Sequence, residues 1–296
     1  MIGDDYIIDR YKLKNSVNKW KFIALILFLI ASFTIFYHKG DSVSGIKSDY
    51  IASIDITGML MQNKETIKSL NKIANDSNIK AVLVNINSSG GTGVGGESLY
   101  REFRKIAEKK PIVASIGEIG ASAAYMAAIG TDRIYAYDIS LVGSIGVIIM
   151  NIEVSELAKK HGINLELIKS SPLKGIPNYF EKLNGQQKEY IQSLVNESNK
   201  FFIELVKKRR SLSEDDLKKV SDGRIFTGSK ANKLKLIDQI GDGADAVKWL
   251  QSKENLKNLE VKNYNLVKPA SKLEKLMEYS DNVKLIFSTI FNTILS

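Results

Sequence analysis

From Tyr50 onward the chain alternates short β-branched runs with stretches of helical periodicity, and this alternation limits the fold more than any single residue does. "YIASIDITG" is followed by "ETIKSLNKIAND", "AVLVNINSS" by "SLYREFRKIAEKK", and "IVASIGE" by "ASAAYMAAIG". "RIYAY", the apolar residues 141–150 and "INLELIK" continue the strand-like series, with "VSELAKKHG" helical between the last two. Strands separated by helices pair in parallel through crossovers, so an α/β fold with a largely parallel sheet is expected. After "SSPLKGIPNYF" the pattern changes. One long helix is predicted between Gly185 and Arg210, followed by short helices with polar openings.

Composition removes several kinds of chemistry. With 44% hydrophobic and 25% charged residues in 296, the chain carries a real core. Its net charge of +9 is spread as single lysines rather than in blocks, which predicts a solvated basic surface and no nucleic-acid partner. There is no cysteine, so thiol catalysis, disulfides and thiolate metal sites are excluded. The two histidines are His38 and His161, too few for most imidazole-based metal or base chemistry, and no metal or cofactor is expected.

The first forty residues address a membrane. Phe22 to Tyr37 is an uncharged apolar stretch, bracketed by Trp20 and Tyr37. Arg10, Lys12, Lys14, Lys19 and Lys21 precede it and only Lys39 and Lys47 follow closely, so the amino terminus is expected in the cytoplasm. No clear small-x-small site follows, which favours an uncleaved anchor over a signal peptide. The expected layout is a cytoplasmic terminus at 1–21, a transmembrane anchor at 22–38, a linker at 39–49, a domain at 50–250 and an extension at 251–296 with an amphipathic helix. The domain would then lie on the outer side of the cytoplasmic (inner) membrane.

Two motifs compete for function. Gly91, Gly93 and Gly96 in "NINSSGGTGVGGES" have the G-x-G-x-x-G spacing between a strand and a helix, and Glu118 stands where a ribose-binding acid would, so an NAD-dependent oxidoreductase is one reading. The second is Ser122 in "SIGEIGASAAYMAA", a serine at a helix start among small residues. Serine there is commonly an N-cap. It becomes a nucleophile when a base is at hand and the first helical amides stabilise developing negative charge. His38 and His161 are poorly placed as that base, which leaves a lysine that must be neutral to accept a proton; spacing alone singles out none.

"NSSGG" (87–91), "GASAAYMAA" (120–128), "GSIGVI" (143–148), "IKSSPLKG" (168–175) and "DGRIFTGSKANKLKLIDQIG" (222–241) resemble, in order and spacing, bacterial signal peptide peptidase A, also called protease IV, in its short single-repeat form. The likeness covers roughly residues 50 to 250. It implies a fold of the ClpP/crotonase superfamily, with repeated β-β-α units, a transmembrane anchor and a helical carboxyl-terminal extension. It implies a membrane-anchored serine peptidase with a Ser-Lys dyad that degrades remnant signal peptides and other hydrophobic segments. Carried over, Ser122 is the nucleophile, Lys174 the general base and Ser144 the residue orienting the lysine. The backbone N–H groups of Gly91 and Ala123 form the oxyanion hole. Apolar Ile168, Leu173 and Ile176 around Lys174 lead to the expectation of partial burial. The resemblance further implies a homo-oligomer, an octamer in which serine and lysine of one site come from adjacent subunits. A scaffold of the same fold without activity is the other alternative.

Overall fold

The structure, a computed structural model, describes Val17, Trp20, Lys21, Ile23–Leu29 and Ser48–Val267. The described residues of the first segment are helical and exposed; the rest of the expected anchor and the amphipathic stretch of the extension lie outside the described residues. Among the described residues no helix is long and apolar enough to cross a membrane. Residues 1–48 form one unit and the chain from Asp49 onward a second, compact one.

The second unit is a mixed α/β structure. Its strands are β1 (Tyr50–Leu60), β2 (Ile79–Gly91), β3 (Ile112–Ala121), β4 (Arg133–Ala136), β5 (Leu141–Gly143), β6 (Ile225–Thr227), β7 (Gln239–Ile240) and β8 (Glu260–Asn263). Its helices are α1 (Lys64–Asn75), α2 (Gly93–Ala107), α3 (Ala123–Ala128), α4 (Ser155–Lys160), α5 (Gly185–Arg210), α6 (Glu214–Val220), α7 (Gly228–Lys233) and α8 (Gly243–Gln251). The eight strands run in the order β6-β5-β3-β2-β1-β8, with β4 joined to β3 and β7. All pairs are parallel except β5 with β6.

This corrects the expected β-β-α repeat. Each of β1, β2 and β3 is followed by its own helix, and only β4 and β5 follow one another directly. Parallel neighbours cannot be joined by a hairpin, so each step between the first three strands takes a helical crossover. The long strand β3 forks. Val113–Ile116 pair with β4, and Ile119–Ala121 pair with β5.

Strand alternation explains the burial. Ile54, Val84 and Ala114 lie opposite one another in register and face the core under α1, α2 and α3. Ile51, Ala81, Leu83 and Val113 face the other way, against Ala246 and Leu250 of α8. Both sheet faces are therefore covered here, which is why these strands read as nearly continuous apolar runs. Each fully buried Ile, Val or Leu contributes about 1.5–3 kcal/mol through surface removed from water. Register shifts in β1 and β2 fall between Thr57 and Met59 and between Ile86 and Ser88, bending the strand ends beside the site described next.

The segment from Ser144 to Asn184 differs in kind. "INLELIK" and the residues after Gly143 form no strand in the single chain, against the sequence expectation. Ile148, Met150 and Ile168 are 86%, 73% and 95% exposed. The apolar pattern is present, but within one chain these residues pair with no strand.

Candidate active site

Ser122 stands between the end of β3 and the start of α3, at φ 53° and ψ −124°. Such a conformation is costly for a residue with a Cβ, and its surroundings hold it there. Its N–H donates to the Gly143 carbonyl (2.8 Å), and its carbonyl accepts from Met126 N (2.9 Å). Its side chain makes no capping hydrogen bond to the helix. The hydroxyl is thus not spent as an N-cap, which was the commonplace reading of a serine here.

Helix α3 is a buried block of Ala123, Ala124, Tyr125, Met126, Ala127 and Ala128. The Tyr125 hydroxyl donates to Leu236 O (2.7 Å), and burial pushes its phenol well above the ordinary range, so it remains a donor. That bond fixes the helix behind the serine. On the other side Gly96 comes so close that a Cβ on it would lie 2.9 Å from the Ala123 Cβ and carbonyl oxygen.

Gly91 and Gly95 of the loop are also explained by packing, whereas a Cβ on Gly93 would meet nothing within 4 Å. A Cβ on Gly91 would meet Leu60 O at 2.1 Å, and one on Gly95 would meet it at 2.4 Å. Gly91 and Gly95 let β1 approach β2 and α2, and Gly96 lets α3 approach α2, so these glycines serve close packing. Glu118 is exposed. Gly90 has φ +119°, and a Cβ there would stand 2.8 Å from the Ser122 Cβ. Gly90 N–H donates to Ser88 Oγ (3.1 Å), and the buried Ser88 hydroxyl donates to Gly58 O (2.6 Å). Gly90 is therefore committed, and the neighbouring amide of Gly91 is the better one to meet a ligand.

Ser144 follows Gly143 in a left-handed conformation (φ 50°) and donates its N–H to Arg224 O (2.9 Å). The Arg224 guanidinium in turn donates to Asp222 and holds that carboxyl below its usual range. Gly223 N donates to Ile145 O (3.1 Å), so the 222–224 loop clamps Ser144 from both sides. Ser122, Ser144, Gly91 and Ala123 together line one cavity of about 790 Å³, with Asn199 and Phe202 of α5 on its wall.

Lys174 does not line that cavity in the single chain. Contrary to the sequence expectation it is exposed, because the arm around it packs against little of its own chain. The Pro172 carbonyl, two residues before it, accepts from Gln187 Nε2 (2.9 Å) at the start of α5. The cavity is reached twelve residues further along that helix, at Asn199. At 1.5 Å rise per residue these two points of α5 lie about 18 Å apart. His161 is exposed at the end of α4, away from the cavity. Among the described residues no cluster of histidine, cysteine or carboxylates could hold a metal ion.

From the sequence, Gly90 and Gly91 are alternative oxyanion donors, whereas Asn199 was not singled out. The signal for Asn199 was available: it occupies an inward position on a helix whose other inward residues are largely apolar.

The sequence model named Peptidase family S49 matches residues 104–257. A putative protease of Methanocaldococcus jannaschii is 37% identical over 200 residues, covering 68% of this chain and 64% of that one. A putative protease of Synechocystis is 35% identical over 201 residues, covering 67% and 72%. A putative signal peptide peptidase SppA of Enterococcus faecium is 31% identical over 224 residues, covering 75% and 65%. The matches span about two thirds of the length of these relatives. A family match over more than half of the sequence, joined to relatives at this identity and coverage, means that the chain belongs to peptidase family S49, a family of serine peptidases.

Proposed function

We propose that this chain is a membrane-anchored serine endopeptidase of ClpP/crotonase-like fold that cleaves extended hydrophobic segments, remnant signal peptides among them. Ser122 is the nucleophile and Lys174 of an adjacent copy the general base. The observation that carries the reading is the Ser122 conformation: a strained serine with an uncapped hydroxyl on the wall of a cavity shared with Ser144 and Gly91.

In the proposed reaction the neutral Lys174 amine takes the Ser122 proton while Oγ bonds to the scissile carbonyl carbon. The N–H groups of Gly91 and Ala123 hold the resulting oxyanion. Ala123 is the first residue of α3, so its N–H has no acceptor within the helix. The lysine returns the proton to the leaving amine as the C–N bond breaks, then activates the water that releases the acyl group. Ser144 Oγ orients the lysine. A fluorophosphonate probe is expected to label Ser122, identified by peptide mapping. Labelling elsewhere would overturn Ser122 as the nucleophile, and none in the assembled protein would support the inactive scaffold instead.

Two further parts rest on the sequence resemblance and on exposure. The apolar side chains between Ile148 and Ile168 make an exposed surface of the kind another copy of the chain covers, which supports a homo-oligomer. The anchor at 22–38 implies a single pass, with the catalytic unit outside the cytoplasm. The intact chain is expected in the membrane fraction, and protease added to spheroplasts is expected to digest residues 50–250; protection would overturn that orientation.

A further inference from the structure

Helix α5 turns a regular stripe toward the body of the protein. Gln187, Ile191, Val195, Asn199, Phe202 and Val206 recur at three- or four-residue spacing, and Gln187, Phe202 and Val206 are buried. The two amides on this stripe are treated differently. Gln187 is fully engaged: its Nε2 donates to Pro172 O, and its Oε1 accepts from Asn184 N (3.0 Å). Asn199 Oδ1 is buried and has no hydrogen-bond partner. It stands where a leucine would suit the stripe, and it lines the cavity that holds Ser122 and Ser144. A buried amide oxygen without a donor is unfavourable, so its retention here points to a donor that arrives from outside the single chain.

We infer that Asn199 is a positioning residue whose side-chain carbonyl accepts a hydrogen bond from the Nζ of the incoming Lys174. The inference rests on the Ser-Lys reading above. A protonated lysine carries three N–H donors and no acceptor. In a cavity closed by a neighbouring copy, the Ser122 and Ser144 hydroxyls accept two of them, and the third requires one more acceptor. A neutral amide suits this place better than a carboxylate, which would hold the lysine in its charged, non-basic form. The charged groups facing Asn199 are few. Asp222 on the facing loop is tied to Arg224, and Glu197 and Lys200, its neighbours on α5, are exposed.

The test uses the full chain purified in detergent, reading fluorophosphonate labelling of Ser122 and peptide turnover against pH. Asn199→Asp keeps the shape and adds a charge, so the acidic limb of both profiles should move up by about one pH unit as the lysine proton is held more tightly. Asn199→Leu should slow labelling about 10- to 100-fold. Its unfolding temperature should stay equal or rise, because leucine fits the stripe. An unmoved acidic limb in Asn199→Asp, with only KM changed, would overturn the inference and assign Asn199 to the substrate. Wild-type labelling in Asn199→Leu would overturn it outright. Lys174→Ala is measured beside them. If that variant labels like the wild type, the Ser-Lys reading itself fails; if it is inert and the Asn199→Asp limb is unmoved, only the present inference fails.

Discussion

Ser122→Ala and Lys174→Ala chains should each be inactive against a hydrophobic peptide, and co-expressing the two should restore cleavage. Loss of a nucleophile or its base removes about three to six orders of magnitude from turnover. Restoration follows from geometry. The Pro172–Gln187 hydrogen bond pins the lysine turn to the start of α5, while the cavity lies at Asn199 and Phe202 on the same helix. If a neighbouring copy supplies the lysine, a mixed assembly contains sites that take Ser122 from the Lys174→Ala chain and Lys174 from the Ser122→Ala chain. In a random one-to-one mixture about a quarter of the sites are intact in a closed head-to-tail ring. The measurement is specific activity of the co-purified mixture, with each variant checked for a wild-type circular dichroism spectrum. A mixture that stays inactive although both chains are present in one assembly would exclude a shared site.

Much of the fold was legible because local chemistry and tertiary packing agree. The bounds Gly185–Arg210 of α5 are those expected, since Asn184 and Gln187 form a reciprocal capping box at its start and four basic residues close its last turn. The first three strands were legible for the same reason: their apolar runs are buried on both faces. Short strands such as β6 and β7 were not, because two or three residues carry no period. The residues after Gly143 and "INLELIK" misled in the other direction. Their alternation is strand-like, but a strand needs a paired neighbour, and within one chain these residues have none. The burial expected for Lys174 failed with them, because apolar neighbours in sequence shelter a side chain only when they pack around it. The exposed Ile168 and the half-buried Leu173 and Ile176 do not. For Ser122 the sequence showed the strand-to-helix junction but not the backbone angles that separate a nucleophile from a cap.

Gly90→Ala is expected to disarm Ser122 while the chain still folds at reduced stability. At φ +119° an alanine is strained whatever space surrounds it, and here its Cβ would lie 2.8 Å from the Ser122 Cβ, 3.1 Å from Ala121 O and 3.2 Å from Ala123 N. Backbone strain of about 1–3 kcal/mol and overpacking of similar size together consume a large part of an ordinary domain's margin. The conflict is relieved only if β2 parts from the β3–α3 junction or Ser122 leaves its φ 53° conformation. The first displaces the Gly91 amide, and the second turns the hydroxyl away from Ser144. A shift of about 1 Å in either is enough for a rate loss of about 100-fold. Gly93→Ala is the matched control, since a Cβ there meets nothing within 4 Å and alanine favours the helix it opens. Urea midpoints and fluorophosphonate labelling rates of the two variants decide the matter. Gly90→Ala labelling as fast as Gly93→Ala would show that contact with Gly90 does not set the Ser122 geometry. A slow Gly90→Ala beside an unchanged Gly93→Ala would assign Gly90 to shaping the site of Ser122.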